Sequence, residues 1–108
     1  MSKCAIGAQL FTVRQFTQAI EDVAQTHWLK KCAGRMPDIH FKDMCITPDC
    51  EIRMAPIGEG NLDRPGLLEA ANVGGTKFAF IEQDLTYDRD PFDCLALSFR
   101  YLHAMGAC

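Results

Sequence analysis

The sequence predicts an α/β fold in which three parallel strands are flanked by helices. Three observations point to it. Apolar runs too short for helices recur at residues 4–11, 38–44 and 77–82. Stretches with helical spacing follow each of them. Strands and helices that alternate in this way require crossover connections, which make the strands parallel and the crossovers right-handed.

The first strand is Cys4-Ala5-Ile6-Gly7-Ala8-Gln9-Leu10-Phe11, closed by Thr12-Val13-Arg14. From Phe16 the period changes: Phe16, Ala19, Ile20, Val23 and Ala24 share a helical face, which Trp28, Leu29 and Cys32 extend. Gly34 and Pro37 end that helix. Asp38 to Met44 reads as the second strand, and Thr47-Pro48-Asp49 as a turn between Cys45-Ile46 and Ile52-Arg53-Met54. Gly58-Glu59-Gly60-Asn61 is a loop. A short helix starts near Pro65, since proline suits a first turn, and ends near Gly74-Gly75. Lys77 to Glu82 is the third strand. The last helix opens at Asp90-Pro91 and carries an apolar stripe of Phe92, Leu95, Phe99 and Leu102, flanked by Ala96 and Tyr101.

Composition limits the possible functions. A chain of 108 residues, 48% hydrophobic and 23% charged, supports one core and one domain. No apolar run approaches the roughly 20 residues of a membrane span. The formal charge is −3 and the basic residues are scattered, with only Lys30 and Lys31 adjacent. Nucleic acid and anionic membrane surfaces, which need clustered positive charge, are therefore not expected partners. Cysteines at 4, 32, 45, 50, 94 and 108 form no C-x-x-C pair, and the amino terminus lacks a secretory apolar core. Reduced thiols in a cytoplasmic protein are the expectation. The spacing of His40, Cys45 and Cys50 fits no common zinc motif.

In parallel α/β folds, chemistry gathers at the carboxyl ends of strands. Those ends place Gln9 and Arg14 after the first strand, His40, Lys42 and Asp43 at the second, and Glu82, Gln83 and Asp84 at the third. An imidazole and a carboxylate on two strand tips can share a divalent ion or act as an acid/base pair. Equally, His40 can be a hydrogen-bonded strand histidine and Glu82 a solvated strand end. Gly58-Glu59-Gly60 lacks the third glycine of a phosphate-binding fingerprint and reads as a turn. Asp88, Asp90 and Asp93 lack the glycine and terminal glutamate of a calcium loop.

Residues 6–14, Ile-Gly-Ala-Gln-Leu-Phe-Thr-Val-Arg, resemble the opening strand of the sugar phosphate isomerase/epimerase family, whose members are xylose-isomerase-like TIM barrels. Ile39-His40-Phe41-Lys42-Asp43-Met44 resembles its seventh strand, with an H-x-K-D motif. Gly58 to Asp63 resembles the loop that follows. Ile81-Glu82-Gln83-Asp84 resembles the eighth strand, and Asp90-Pro91 to Met105-Gly106 the closing helix. The resemblance implies a single truncated barrel domain over 1–108. Residues 1–25 match the first strand-helix unit and 28–108 the last two, joined between Gln25 and Trp28. A whole barrel takes about 250 residues and eight strands, so strands two to six have no counterpart.

The implied fold is a partial TIM barrel with strand order 2-3-1. The implied chemistry is proton transfer next to the carbonyl of a sugar or sugar phosphate, assisted by a divalent metal (Mn, Co, Mg or Zn). His40 and Glu82 would be two of its four ligands, and Glu82 one of two acid/base glutamates. The other glutamate and the aspartate ligand are missing, so the lone chain is expected to be inactive or impaired. Arg64 stands where the family usually has tryptophan, and residues 72–75 depart from the usual helix ending; both changes are expected to weaken packing. A parallel sheet with open edges and an uncovered face invites pairing, so a homo-oligomer is expected. The other reading is a non-catalytic, oligomerising interaction module.

Overall fold

The computed structural model describes residues 25–107. The expected first strand, Gln9, Arg14 and the helical face from Phe16 to Ala24 lie outside the described residues. What is described is mixed α/β: α1 (Gln25–Lys31), β1 (Asp38–Phe41), β2 (Asp43–Ile46), β3 (Ile52–Ala55), α2 (Arg64–Val73), β4 (Phe78–Ile81) and α3 (Pro91–Ala104). The expected junction between Gln25 and Trp28 falls inside α1.

β1 and β4 pair in parallel, with His40 opposite Phe80 and Phe41 opposite Ile81. They correspond to the second and third strands expected from sequence, and they are adjacent as the order 2-3-1 requires. This sheet has two strands among the described residues, not three.

The run from Asp38 to Met44 is not one strand. It breaks at Lys42, and β2 leaves to form an antiparallel hairpin with β3, Asp43 facing Ala55 and Ile46 facing Ile52. The cause is local. Thr47 closes the turn, its amide donating to the Glu51 carbonyl and its hydroxyl accepting from the Glu51 amide. Cys50 takes the left-handed conformation (φ 61°) that lets the chain reverse.

The helices end where the sequence places their punctuation. Asp63 caps α2 by accepting from the Gly66 amide at 3.2 Å, and Asp90 caps α3 by accepting from Phe92 and Asp93. Pro65 and Pro91 occupy first turns, and Gly74 terminates α2.

One face of the parallel sheet is covered by helices. Phe41, Ile57, Leu67, Leu68 and Leu102 form the buried cluster, with Leu29, Ile39, Ile81, Tyr101 and Met105 packed against it. Strand alternation sends Ile39, Phe41 and Ile81 to this side. His40, Phe78 and Phe80 take the other side and are exposed.

Of the apolar stripe expected on the last helix, Leu102 is buried in the core, while Phe92, Leu95 and Phe99 are exposed. Phe92 is 80% exposed and Phe99 53%, whereas Cys94, Ser98 and Leu102 are buried. Ser98 earns that position through hydrogen bonds: its hydroxyl donates to the Cys94 carbonyl and accepts from the Ile57 amide. The helix is turned by the partner it must satisfy, not by its most hydrophobic edge.

A second buried polar group organises the loops. The Asp43 side chain is fully buried. It accepts from the amides of Gly58 (3.0 Å) and Gly60 (3.1 Å), from the Met44 amide and from Arg64 Nη1 at 3.1 Å. A Cβ at Gly60 would meet Asp43 Oδ1 at 2.1 Å and the Met44 carbonyl at 2.4 Å, so only glycine allows this approach. Arg64 also donates through Nε to the Tyr101 hydroxyl (3.1 Å) and through Nη1 to the Gly60 carbonyl (2.5 Å). Tyr101, first, and Asp43 raise the Arg64 pKa above its ordinary value by favouring the charged form. Arg64 therefore ties the 58–62 loop, the start of α2 and the last helix together.

Two substitutions check this anchor. Asp43→Ala strands buried donors and an unpaired guanidinium, and should lower the urea-unfolding free energy by about 3–5 kcal/mol. Gly60→Ala overpacks the same point and should cost about 1–3 kcal/mol. A loss within about 0.5 kcal/mol for both, the range of an ordinary surface change, would show that the loop is not held by Asp43.

Candidate functional site

The carboxyl ends of β1 and β4 lie side by side because the strands are parallel and in register. His40 and Lys42 are two residues apart, as are Phe80 and Glu82, so all four point to the face away from the helices. The backbone continues the pairing past the last strand residue, with the Glu82 amide donating to the Phe41 carbonyl at 3.0 Å.

The structure brings the two sequence-predicted residues into direct contact. His40 Nδ1 hydrogen-bonds Glu82 Oε2. An ionised carboxylate only accepts, so the His40 Nδ1–H is the donor of this bond. The ring sits 5.7 Å from that of Phe80 at a tilt of 57°, and the His40 side chain is 65% exposed.

Lys42 completes the cluster. Its ammonium lies 2.9 Å from Glu82 Oε1 and 2.9 Å from Asp84 Oδ2. Lys42, and after it His40, hold the Glu82 carboxyl down from its ordinary 4.5 to about 2. Conversely, the hydrogen bonds that Lys42 donates to Asp84, first, and to Glu82 raise its pKa above 10.5. Sequence position alone named His40, Lys42, Glu82 and Asp84 as strand-end groups, but gave no sign that the lysine bridges both carboxylates. The H-x-K spacing holds the available signal, because residues two apart on a strand share a face.

Other predicted candidates divide differently. Asp43 points inward and is the loop anchor described above. Gln83 donates to the Leu85 carbonyl at 3.0 Å. Asp90 is a helix cap, not a cation ligand. Cys32, Cys45, Cys50 and Cys94 are free thiols, and Cys94 is fully buried.

Around the cluster, the loop after β4 braces its neighbours. The Tyr87 hydroxyl accepts from the Met54 amide at 3.1 Å, and the Arg53 guanidinium lies 4.8 Å from the Tyr87 ring centroid. Arg89 forks onto Glu59, and that contact lowers the Glu59 pKa. The Asn61 side chain accepts from the Ile46 amide at 2.9 Å. One outward amide on each edge of the β2–β3 hairpin is thereby taken by a loop side chain. A cavity of about 300 Å³, lined by residues including Thr26, Lys30, Asp63 and Glu69, lies between α1 and α2 and does not include the cluster.

The donor set does not fit a resident divalent metal by itself. His40 and Glu82 supply two donors already joined to one another, and an ammonium occupies the second Glu82 oxygen. No group of three or more His, Cys, Asp or Glu side chains able to hold a metal occurs among the described residues. No described helix is long and apolar enough to cross a membrane. Searches against family models, curated proteins and solved structures found no match to this chain.

The depressed Glu82 value has a testable sign. A carboxyl whose folded pKa lies below its unfolded value stabilises the fold fully above about pH 4.5, and that contribution is lost as the pH falls toward 2. Carbon-detected NMR titration should find Glu82 ionised down to about pH 2, and Lys42→Met should move its midpoint back toward 4.5. An unmoved midpoint would mean that Lys42 does not set the charge state of Glu82.

Proposed function

We propose that this chain is a shortened relative of the sugar phosphate isomerases and epimerases, keeping the strand-end chemistry of the last two barrel units. The observation that carries this reading is the meeting of His40, Lys42 and Glu82 on one face, at the carboxyl ends of adjacent parallel strands. In this proposal Glu82 handles the proton next to the carbonyl of a sugar or sugar phosphate. The H-x-K-D strand and the glycine loop, the two motifs on which the resemblance rests most heavily, are also joined physically through Asp43.

The same cluster supports impaired activity in the lone chain. A general base works best with a pKa near the working pH. Glu82, held at about 2 by Lys42 and His40, is a weak base at neutral pH. The partner glutamate and aspartate of the parent family have no counterpart. In this reading the chain is a partial barrel of strand order 2-3-1, and the protein works in the cytoplasm.

The exposed aromatic residues favour a second reading, a non-catalytic module that assembles with itself. Phe78 is 63% exposed, Phe80 52% and Phe92 80%. Covering a few hundred Å² of apolar surface at about 25 cal/mol per Å² yields several kcal/mol for association.

Deuterium incorporation beside the carbonyl of ketoses and ketose phosphates, followed by NMR, separates the readings when combined with light scattering. The enzyme reading expects weak exchange that falls to the uncatalysed rate in Glu82→Gln, since a positioned base contributes about 10²–10⁴-fold. Exchange indistinguishable from that of Glu82→Gln, in a stable oligomer, would favour the module.

A further inference from the structure

We infer that the outer stripe of α3 is a self-docking surface, on which a second copy of this chain lays its own α3 antiparallel about a two-fold axis beside Ala96. The inference rests on the second reading above, the assembling module, and names the surface, the partner and the orientation that reading leaves open. It starts from an inversion in the helix. The side of α3 that faces the core contributes Cys94, Ser98 and Leu102. The side that faces solvent carries larger apolar groups: Phe92 is 80% exposed, Leu95 41% and Phe99 53%. At about 100° per residue, positions 92, 95, 96, 99 and 103 fall on one stripe. Ala96 is exposed in its middle. The His103 ring stacks on Phe99 at 5.9 Å and 12°, which carries the aromatic surface one turn further.

The charges beside the stripe indicate what covers it. Asp93 and Arg100 are close to two full turns apart, so they share one flank and are separated by about 10 Å along the axis. A two-fold axis through the midpoint, between Ala96 and Leu97, sets Asp93 of each copy against Arg100 of the other. A parallel copy would not bring these opposite charges together. Arg100 spends Nε on the Ala96 carbonyl at 3.2 Å, and its terminal nitrogens are not hydrogen-bonded among the described residues. The antiparallel orientation also opposes the helix dipoles, and it lays each acidic first turn beside the partner's last turn, which carries His103. Shape agrees with charge. The small side chain at the crossing point lets the helices approach, and the phenylalanines of the two copies interleave on either side. Side chains exposed to this degree present roughly 300 Å² of apolar surface per copy, below the ~800 Å² per partner of a standard interface. The dimer is therefore reversible, forming at roughly tens to hundreds of micromolar chain.

Sedimentation equilibrium of the whole chain from about 5 to 500 µM spans that range. The expected result is a monomer–dimer equilibrium that Phe92→Ser and Phe99→Ser each weaken on the order of tenfold or more. Ile52→Ser removes a comparably exposed apolar side chain from the hairpin, and should leave the equilibrium within about twofold. Arg100→Glu, which faces the partner's Asp93, should weaken the dimer about three- to tenfold. Adding Asp93→Arg to it should recover most of that loss. Circular dichroism confirms that each variant is folded, and Asp93→Asn serves as the second change if Asp93→Arg disturbs the helix. A dimer that withstands both phenylalanine changes, or that Ile52→Ser weakens equally, overturns the inference and leaves assembly to another face. An uncorrected loss in the charge-exchanged chain overturns the antiparallel placement, and with it the inference. A monomer at every concentration overturns this inference and the module reading together.

Discussion

Burying a carboxylate costs several kcal/mol unless hydrogen bonds and a counter-charge replace its hydration, and Asp43 has its side chain fully buried. The rest of the described structure is arranged so that this cost is met. Gly58 and Gly60 turn their amides inward, Arg64 brings the compensating charge, and Tyr101 holds Arg64 from α3. One side chain thereby joins the start of β2, the loop at 58–62, the start of α2 and the last helix. The break at Lys42 follows from the same arrangement: the chain must leave the parallel sheet for Asp43 to reach the loop.

That break positions the candidate site. Lys42 stands at the end of β1, where side chains two apart share a face, and the parallel register lays Glu82 beside it. Because Asp43 is pinned immediately afterward, the lysine is presented from a fixed point rather than from a mobile loop. A rigid backbone with exposed ionic side chains is a scaffold for chemistry at strand ends. The electrostatics, however, are closed upon themselves. The lysine and histidine that place Glu82 also keep it a weak base, which links the geometry of the cluster to the reduced activity proposed for the lone chain.

The hairpin shows a different solution to a common problem. A two-stranded antiparallel ribbon has two open edges, each able to recruit another chain. Here Asn61 takes a backbone group of β2 and the Tyr87 hydroxyl one of β3. Exposed apolar groups lie on the outward face of β1 and β4, on the outer stripe of α3, and on the hairpin itself, where Ile46 and Ile52 face each other across the strands.

Local order was legible in the sequence because it depends on local chemistry. Proline and aspartate at helix starts, glycine at helix ends and the alternation in β1 and β4 each place a boundary without tertiary help, and α2, α3 and β4 fall where those residues put them. The identity of the strand-end groups was legible too, since strand parity puts His40 and Lys42 on one face. Tertiary structure alone decided that Lys42 bridges Glu82 and Asp84, because residues 42 apart meet only through the parallel register. It also decided that Ser98, not Phe99, faces the core, because a buried amide at Ile57 needed an acceptor. Asp43 is the clearest case: its residue type alone reads as a strand-end acid with chemistry to offer. Only the fold, by surrounding it with amides and a guanidinium drawn from elsewhere in the chain, makes it the structural anchor.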